Sequence, residues 1–266
     1  MPGSGLPRLV LGGGASVLVD SDLAEYAECT VPVILRHQVR ALWQVRALSP
    51  GTWRHPVFPD GYSDVVVTGA LRVLAVGPSH RAHHQPIPAE SAVVGARLRP
   101  GALSILTGMT ADDLCGRVVR IGTLEPAGPA TGDVMAALVA FLGQLTVPHT
   151  PSQVRALRAC ELVSTAVRAP SIRSVADALG ISERSVRSVF AEHVGLPPST
   201  FHQIRRLQRA LVLGGARRLS LAEIAHRSGY SDQAHLCRQM RTLTGLTPGS
   251  VLSNVAPDPR ALDPVR

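Results

Sequence analysis

The sequence predicts an α+β fold with a β-rich N-terminal domain, a helical linker and an all-α C-terminal domain. Three observations support this prediction: short apolar runs between turn residues, then amphipathic helical patterns, then a helix-turn-helix pattern that occurs twice. Together they divide the chain into five segments. These are an N-terminal extension without a clear structural pattern at 1–40, a β-rich domain at 41–125, a helical linker at 126–170, a double helix-turn-helix domain at 171–252 and a flexible tail at 253–266.

The β-rich domain is predicted from short runs rich in Val and Ile, which are broken about every ten residues. The runs are Ala41–Arg46, Ser63–Thr68, Leu71–Val76, Ala92–Leu98 and Ser104–Leu106. Pro59-Asp60-Gly61 supplies a turn, because Pro presets one backbone dihedral angle and Gly tolerates the last. Strand-length runs at this spacing indicate a small sheet or barrel.

Helical patterns follow at Thr110–Val119, Asp133–Leu145 and Gln153–Val167. In the first, Thr110 and Asp113 are spaced like a variant of a capping box. In the other two, apolar residues recur at helical spacing and form one stripe. Prolines punctuate these helices, and we place a hinge at about 148–170. The stripes leave two alternatives open, since an apolar stripe fits equally against the chain's own β domain or against a second copy.

The C-terminal segment is an internal repeat of two helix-turn-helix units. Ile172, Val175, Ala176, Gly180 and Ser182 recur 49 residues later as Leu221, Ile224, Ala225, Gly229 and Ser231. Beyond the turn the offset is 50, and Val186, Phe190, Gly195 and Leu196 recur as Leu236, Met240, Gly245 and Leu246. The second turn has therefore gained one residue.

Turn and cap residues stand where each unit needs them. Gly180 and Gly229 are predicted to end the first helix of each unit in the left-handed conformation, which Gly adopts at low cost. Ser182 and Asp232 are predicted to cap the second helix, since their side-chain oxygens accept from its free backbone amides. In helix-turn-helix proteins the second helix enters the major groove of DNA.

The two second helices are predicted at Glu183–His193 and Gln233–Arg241. Their inward residues are Val186, Val189 and Phe190 in the first, and Leu236, Met240 and Leu243 in the second. The predicted DNA-facing residues are Arg184, Ser185, Arg187 and Ser188 in the first, and Gln233, Ala234, His235, Cys237 and Arg238 in the second. Arg can bond O6 and N7 of guanine together, although Arg184 and Arg238 could instead hold phosphates.

A helix at Pro198–Leu213 is predicted to connect the two units. Its length of roughly 24 Å suits two helices placed in successive major grooves, about 34 Å apart. Arg205, Arg206 and Arg209 lie off its apolar stripe and face either phosphates or solvent. Arg217 and Arg218 precede the second unit and are predicted to contact phosphates.

Net charge is concentrated in the same segment. The chain carries +8, and all 27 basic residues are Arg. Ser171–Leu252 contains eleven Arg against five acidic residues, which gives +6 and leaves +2 for the rest of the chain. A local excess of this kind is typical of a surface that binds phosphates.

The most specific runs in the repeat are Ile224–Asp232, which reads Ile-Ala-x-x-x-Gly-Tyr-Ser-Asp, and Thr244–Pro248. They resemble the AraC/XylS family of bacterial transcription regulators, whose DNA-binding domain contains two such units. The resemblance covers Ser171–Leu252 and implies sequence-specific binding of double-stranded DNA. It places base reading on Arg184, Arg187 and Ser188, and on Gln233, Ala234, Cys237 and Arg238. Met240 departs from the family's usual Phe, which implies a repacked core.

The β-rich segment carries a second resemblance. Trp43, Phe58–Gly61, Asp64–Val67, Val76–Pro78 and Val94–Gly101 look like a sensor domain that precedes the same DNA-binding domain in many regulators. The resemblance implies cupin-like β structure and a small-molecule effector as a candidate partner. It identifies no ligand.

Histidines supply the alternative interpretation, a metal-dependent enzyme or metal sensor on the β domain. His80, His83 and His84 lie close together in sequence, with His37 and His55 upstream. Adjacent histidines in an extended segment point opposite ways, and the nearest acid, Glu90, does not complete a familiar ligand set. The four cysteines are scattered and predicted to be reduced thiols. We therefore predict neither metal nor cofactor, and, without a catalytic motif, no enzyme.

The sequence thus predicts a sequence-specific DNA-binding transcription regulator, with activation favoured over repression by family habit. The implied partners are promoter DNA, RNA polymerase, a small-molecule effector and a second copy of the chain. No apolar run reaches the about 18 residues of a membrane span and no signal peptide is recognisable, so the predicted location is cytoplasmic. A third interpretation is a structural DNA binder without a ligand.

Overall fold

The computed structural model describes residues 9–12, 15–18, 24–48, 51–89, 91–125, 131–145, 148–215 and 219–252. The strands are β1 (Leu9–Gly12), β2 (Ala15–Leu18), β3 (Ala24–Cys29), β4 (Val39–Ala47), β5 (Trp53–Val57), β6 (Asp64–Thr68), β7 (Arg72–Val76), β8 (His83–Ile87), β9 (Ala92–Leu98) and β10 (Val118–Thr123). The helices are α1 (Ala102–Thr107), α2 (Thr131–Gln144), α3 (Pro151–Thr165), α4 (Ile172–Leu179), α5 (Glu183–His193), α6 (Pro198–Gly215), α7 (Leu221–Arg227), α8 (Gln233–Thr244) and α9 (Pro248–Leu252). The predicted α+β fold, β-rich first and helical afterwards, is confirmed.

The main sheet is antiparallel and has six strands in the order β10-β7-β6-β9-β4-β3. Alternate residues along it, such as Val65 and Val67 in β6, are buried on one face. Gly95 in β9 lies opposite Trp43 in β4, and a Cβ atom at Gly95 would come within 2.3 Å of the indole ring. The absence of a side chain at position 95 is therefore what lets Trp43 lie flat across the sheet.

Strand β3 falls within the segment 1–40, to which the sequence assigned no clear structure. It pairs along its whole length with β4, which itself starts before Ala41. Ala24 is its one buried residue, and Glu25 and Glu28 are polar. A polar edge strand lacks the apolar alternation on which strand prediction depends. Strand β3 is therefore recognisable only from its pairing with β4 in the structure. The tail 253–266 lies outside the described residues.

Two local predictions in the β domain are wrong. Ser104–Leu106 belongs to helix α1 and not to a strand, because Ala102 and Leu103 turn inward and join the core. Thr110–Val119 is a set of tight turns that leads into β10. Asp113 does bond Thr110 as a cap would, at 3.2 Å, but Gly116 has a φ of +67° and ends the helical path.

The two predicted linker helices are confirmed, and they pack on different domains. Leu138 and Leu142 of α2 are fully buried in the core of the main sheet. Ala159 and Val163 of α3 are buried instead among the helices of the first helix-turn-helix unit, beside Phe190. The boundary between the two cores therefore runs between α2 and α3.

The helices α3 to α9 form the C-terminal part, and α6 connects its two units. Ile204 and Phe201 on α6 join the core of the first unit, while Leu207 and Leu211 join the core of the second. Met240, which stands where the resembling family usually has Phe, is fully buried in that second core. One long helix, shared by the two cores, therefore connects the two units. Among the described residues, none of the helices combines the length and apolarity needed to cross a bilayer.

Candidate nucleic-acid interface

Both second helices begin at the predicted caps. Ser182 Oγ accepts from the amide of Ser185 at 3.1 Å, and Asp232 Oδ1 accepts from the amide of His235 at 2.7 Å. This bond from His235 is the largest contribution that lowers the pKa of Asp232. A carboxylate at the start of α8 also complements the positive end of the helix dipole. The helix starts are therefore fixed by side chains of their own turns.

The predicted outward face of α5 is exposed. Arg184, Arg187 and Ser188 are exposed, while Val186 and Phe190 are buried. Ser185 is half-buried, and its hydroxyl lies 2.9 Å from the hydroxyl of Ser182. Three of the four predicted positions on α5 are thus accessible to DNA, and Ser185 also takes part in the cap.

Arg187 forms an exposed ion pair with Glu183 one turn earlier, with Nη2 3.3 Å from Oε2. An ion pair of this exposure contributes less than about 1 kcal/mol. Separating Arg187 from Glu183 therefore costs little free energy.

On α8, Gln233, Ala234 and Arg238 are exposed and Cys237 is half-buried. His235 differs, because its Nδ1 lies 3.0 Å from Ser231 Oγ and its ring packs edge-on against Tyr230. These contacts hold the turn before α8. The predicted phosphate contacts Arg217 and Arg218 lie outside the described residues.

The arginines of the connecting helix are used within the protein. Arg206 donates to the carbonyl of Gly229 at 2.9 Å and lies over the ring of Tyr230. Arg209 donates to the carbonyls of Ser164 and Ala166, and Arg205 donates to the carbonyl of Asp60. These bonds contradict the alternative of a merely solvated face, and phosphate contact by these residues stays a prediction. Their guanidinium groups satisfy carbonyls at turns.

A cleft of about 320 Å³ lies along the side of α5, between it and the start of α3. Its lining is Ser152 and Arg155 from α3, Ile181, Arg184, Ser185, Ser188, Val189 and Glu192. Sequence reasoning missed Ser152 and Arg155, since it placed α3 in the linker. Arg155 is exposed, and it adds a second cation, besides Arg184, to the lining of the cleft.

The β domain does not assemble its histidines into a metal site. His55 pairs with Gln85 across the β5–β8 ribbon, while His83 and His84 face Val57 and Pro56. Burial is the main cause that lowers the pKa of His55 to about 4. In the parts of the chain that the structure describes, no three His, Cys, Asp or Glu side chains are grouped so as to hold a metal ion. Glu90 lies outside those parts. All four cysteines are free thiols.

Comparison with known proteins assigns both parts of the chain. Residues 175–254 match the protein-family model described as "Helix-turn-helix domain", and residues 28–120 match "Domain of unknown function (DUF6597)". The C-terminal part therefore places the chain in the class of DNA-binding helix-turn-helix proteins. Within that class, this C-terminal domain is of the AraC type.

Curated relatives match over the same end of the chain. The "F1 operon positive regulatory protein" of Yersinia pestis is 35% identical over 69 residues, which are 26% of this chain and 23% of that protein. The "HTH-type transcriptional regulator GlxA" of Rhizobium meliloti (strain 1021) is 33% identical over 96 residues, 36% of this chain and 30% of that protein. The chain thus covers less than a third of the length of each.

Solved structures that match the chain include an AraC-type transcriptional regulator from Chromobacterium violaceum, with a TM-score of 0.37 and 23% identity over 43% of this chain and 97% of that one. Another is ToxT from Vibrio cholerae O395, with a TM-score of 0.45 and 7% identity over 77% of this chain and 95% of that one.

Proposed function

We propose that the chain is a sequence-specific DNA-binding transcription regulator that inserts α5 and α8 into two successive major grooves. The observation that carries this proposal is the matched form of the two helices. Each starts at a side-chain cap, buries one face in its own core and exposes polar and cationic residues in its first two turns. We propose that 171–252, together with α3, is the DNA-reading unit.

The proposed base contacts lie on these exposed turns. Arg187 and Arg238 are the strongest candidates, because a guanidinium can donate to O6 and N7 of guanine at once. Gln233 suits adenine, and Ala234 and Cys237 suit the methyl group of thymine. Ser188 and Arg184 complete the set on α5. Ser185 and His235 support the helix starts in this proposal and contact bases less directly.

Arg155 and Arg184 are proposed to hold a phosphate at the side of α5. The two cations line one open cleft together with the hydroxyls of Ser152 and Ser188. A phosphodiester accepts charge-assisted hydrogen bonds from guanidinium groups, which fix the protein on the duplex without selecting a sequence. We propose the same task for Arg217 and Arg218.

The connecting helix supports the two-groove geometry. Helix α6 has 18 residues, which corresponds to roughly 27 Å of helix. Equivalent recognition helices must be separated by one turn of DNA, about 34 Å, to enter successive grooves on one face. A connecting helix of this length suits that separation.

Activation is the proposed direction of control. One curated relative bears the name of a positive regulatory protein, and activation would require contact with RNA polymerase. A small-molecule effector and a homodimer are further proposals that rest on the family. In all of them the protein acts by binding DNA and not by catalysis.

The test is selection of DNA from random duplexes by the purified chain, repeated with Arg187→Ala. The wild type is expected to enrich one motif of about 15–20 base pairs, with two parts one helical turn apart. Arg187→Ala should relax one position of that motif by about 1–3 kcal/mol. Arg173→Ala is the matched control, since this exposed Arg lies on α4 and should leave the motif unchanged. Enrichment of no motif by the wild type would refute the proposal.

A further inference from the structure

The N-terminal domain contacts the C-terminal end of the first recognition helix, α5. Its backbone amides donate to the last three carbonyls of α5, at Asp112 to Ala191 (2.9 Å), Ala111 to Glu192 (2.8 Å) and Gly101 to His193 (2.9 Å). The buried side chain of His193 adds to the contact, with Nε2 2.8 Å from Ser152 Oγ and Nδ1 3.4 Å from Ser104 Oγ. The last carbonyls of a helix have no partner within it, and here another domain supplies the donors.

The second recognition helix is held at the same end. The amide of Ala82, which directly precedes β8, donates to the carbonyl of Leu243 in the last turn of α8 at 2.8 Å. Phe58, which directly follows β5, is 5% exposed and belongs to the core of the second unit with Leu243 and Leu207. The β5–β8 ribbon of the N-terminal domain therefore reaches the second unit at one of its ends, through a residue beside each of its two strands.

The connecting helix is the third point of contact. Gln208 donates from Nε2 to the carbonyl of Pro59 at 2.7 Å, and Arg205 donates to the carbonyl of Asp60 at 3.3 Å. A Cβ atom at Gly61 would lie 2.8 Å from the ring of Phe201. The turn that the sequence predicted at Pro59-Asp60-Gly61 is thus pressed against α6 and bonded to it.

None of these contacts covers the proposed reading face. The bonded carbonyls lie in the last turns of α5 and α8, whereas Arg184–Ser188 and Gln233–Arg238 lie in the first two turns. The N-terminal domain therefore contacts both recognition helices at their C-terminal ends, and these contacts leave the proposed DNA-facing turns open. A surface that touches two reading helices and their connector, without covering them, can fix the separation between them.

We propose that the N-terminal domain acts as a brace, which holds α5 and α8 at the separation that two successive grooves require. This inference rests on the proposed function and gives the domain of unknown function a mechanical task. When two linked contacts are held at the right span, the second binds as an intramolecular event, and that gain is lost when the span becomes variable. Loosening the brace should therefore weaken binding to a complete site and spare binding to either half.

Two glycines provide a matched pair of variants. Gly195 and Gly245 occupy equivalent positions after α5 and α8, with φ of +72° and +75°. A Cβ atom at Gly195 would lie 2.3 Å from the carbonyl oxygen of Ala111 and 2.8 Å from Pro78, whereas a Cβ atom at Gly245 meets nothing within 4 Å. Gly195→Ala and Gly245→Ala thus carry similar backbone strain. Only in Gly195→Ala does the added Cβ atom clash with the N-terminal domain.

The experiment measures binding of the full-length variants to the motif selected by the wild type, to each half of it, and to motifs with one base pair added or removed between the halves. Relative to Gly245→Ala, Gly195→Ala should bind the complete site on the order of tenfold to a hundredfold more weakly. It should bind each half-site equally well and discriminate less between spacings. Equal losses in both variants, or a loss on the first half-site as large as that on the complete site, would overturn the brace.

Gln208→Met is the second variant, and it decides the matter if Gly195→Ala does not fold. It removes the donor to Pro59 with little change in volume, and circular dichroism checks its fold. It should also lose affinity for the complete site and retain the half-sites, and unchanged spacing discrimination would count against the brace. If the wild type selects no motif, the proposed function fails. If it selects one and the variants behave like Gly245→Ala, the brace alone fails.

Discussion

The guanidinium of Arg97 lies 3.1 Å from the carboxylate of Asp60, and both side chains are almost fully buried under the turn that contacts α6. Asp64 lies 3.8 Å from the same guanidinium and accepts from the indole of Trp43. Burial is the main cause that raises the pKa of Asp64 to about 6, although Arg97 opposes it. One buried cation therefore balances two buried acids beside the interdomain turn.

Replacing that cation should destabilise the protein strongly. Arg97→Met leaves Asp60 and Asp64 buried without the guanidinium that balances their charge. Removing one partner of a buried ion pair lowers the free energy of unfolding by about 3–5 kcal/mol. Urea unfolding at neutral pH measures the loss. Arg158→Ala is the control, since its pair with Glu161 is exposed and should contribute less than about 1 kcal/mol. A loss in Arg97→Met no larger than in Arg158→Ala would contradict this account.

Releasing Arg187 from its ion pair should strengthen DNA binding. Glu183→Gln removes the carboxylate that pairs with Arg187, and the same change removes a negative charge that would repel the phosphates of bound DNA. Breaking an exposed pair costs under about 1 kcal/mol, so the affinity should rise by up to about fivefold. Titration of the selected motif measures it. Glu161→Gln makes the same charge change on α3, away from the reading face, and an equal rise there would show a general charge effect.

Arg155 should contribute to binding without contributing to sequence choice. Arg155→Ala is expected to weaken binding to all sequences alike and to lower the slope of log affinity against log salt by about 0.9, the value for one phosphate. Arg158 lies one turn further along α3 and does not line the cleft, so Arg158→Ala should leave the slope unchanged. A change of preferred motif in Arg155→Ala would assign it a base and not a phosphate.

Acid should destabilise the β5–β8 ribbon through His55. Burial lowers its pKa from the ordinary 6.5 to about 4, so the unfolded chain binds a proton more readily than the folded one. Stability is therefore present above about pH 6.5 and lost as the pH falls towards 4, by about 3 kcal/mol in total. Urea unfolding between pH 7 and 4 should show a shallower decline in His55→Gln. The exposed His80→Gln should follow the wild type, and identical declines in all three would remove His55 as the cause.

The elements that local sequence determines were predicted well. Helix α5 runs over Glu183–His193 as expected, because Ser182 caps its start and its apolar residues keep helical spacing. Helix α8 starts at Gln233 as expected and continues to Thr244, since Leu243 and Thr244 remain in the core beyond the predicted end at Arg241. Caps and periodicity are local properties, and one sequence suffices to read them.

Features that depend on tertiary contacts were not predictable in this way. Strand β3 exists because β4 pairs with it, and Arg206 and Arg209 were assigned to the surface although their partners are carbonyls at distant turns. The base-facing residues remain predictions, of which the structure supplies the exposure alone. The exceptions are Ser185, which is bonded to Ser182, and His235, whose ring is engaged with Ser231 and Tyr230.

The bonds that join the N-terminal domain to the ends of the recognition helices run from main chain to main chain. Replacing Ala82 or Ala111 with any residue except proline keeps the backbone N–H that donates the bond. Proline has no backbone N–H. These bonds depend on the path of the backbone and on the absence of a Cβ atom at Gly195. Selection can therefore preserve these interdomain backbone bonds while the side chains around them change. Descendants of this chain can share the same interdomain contact with very few identical residues in it.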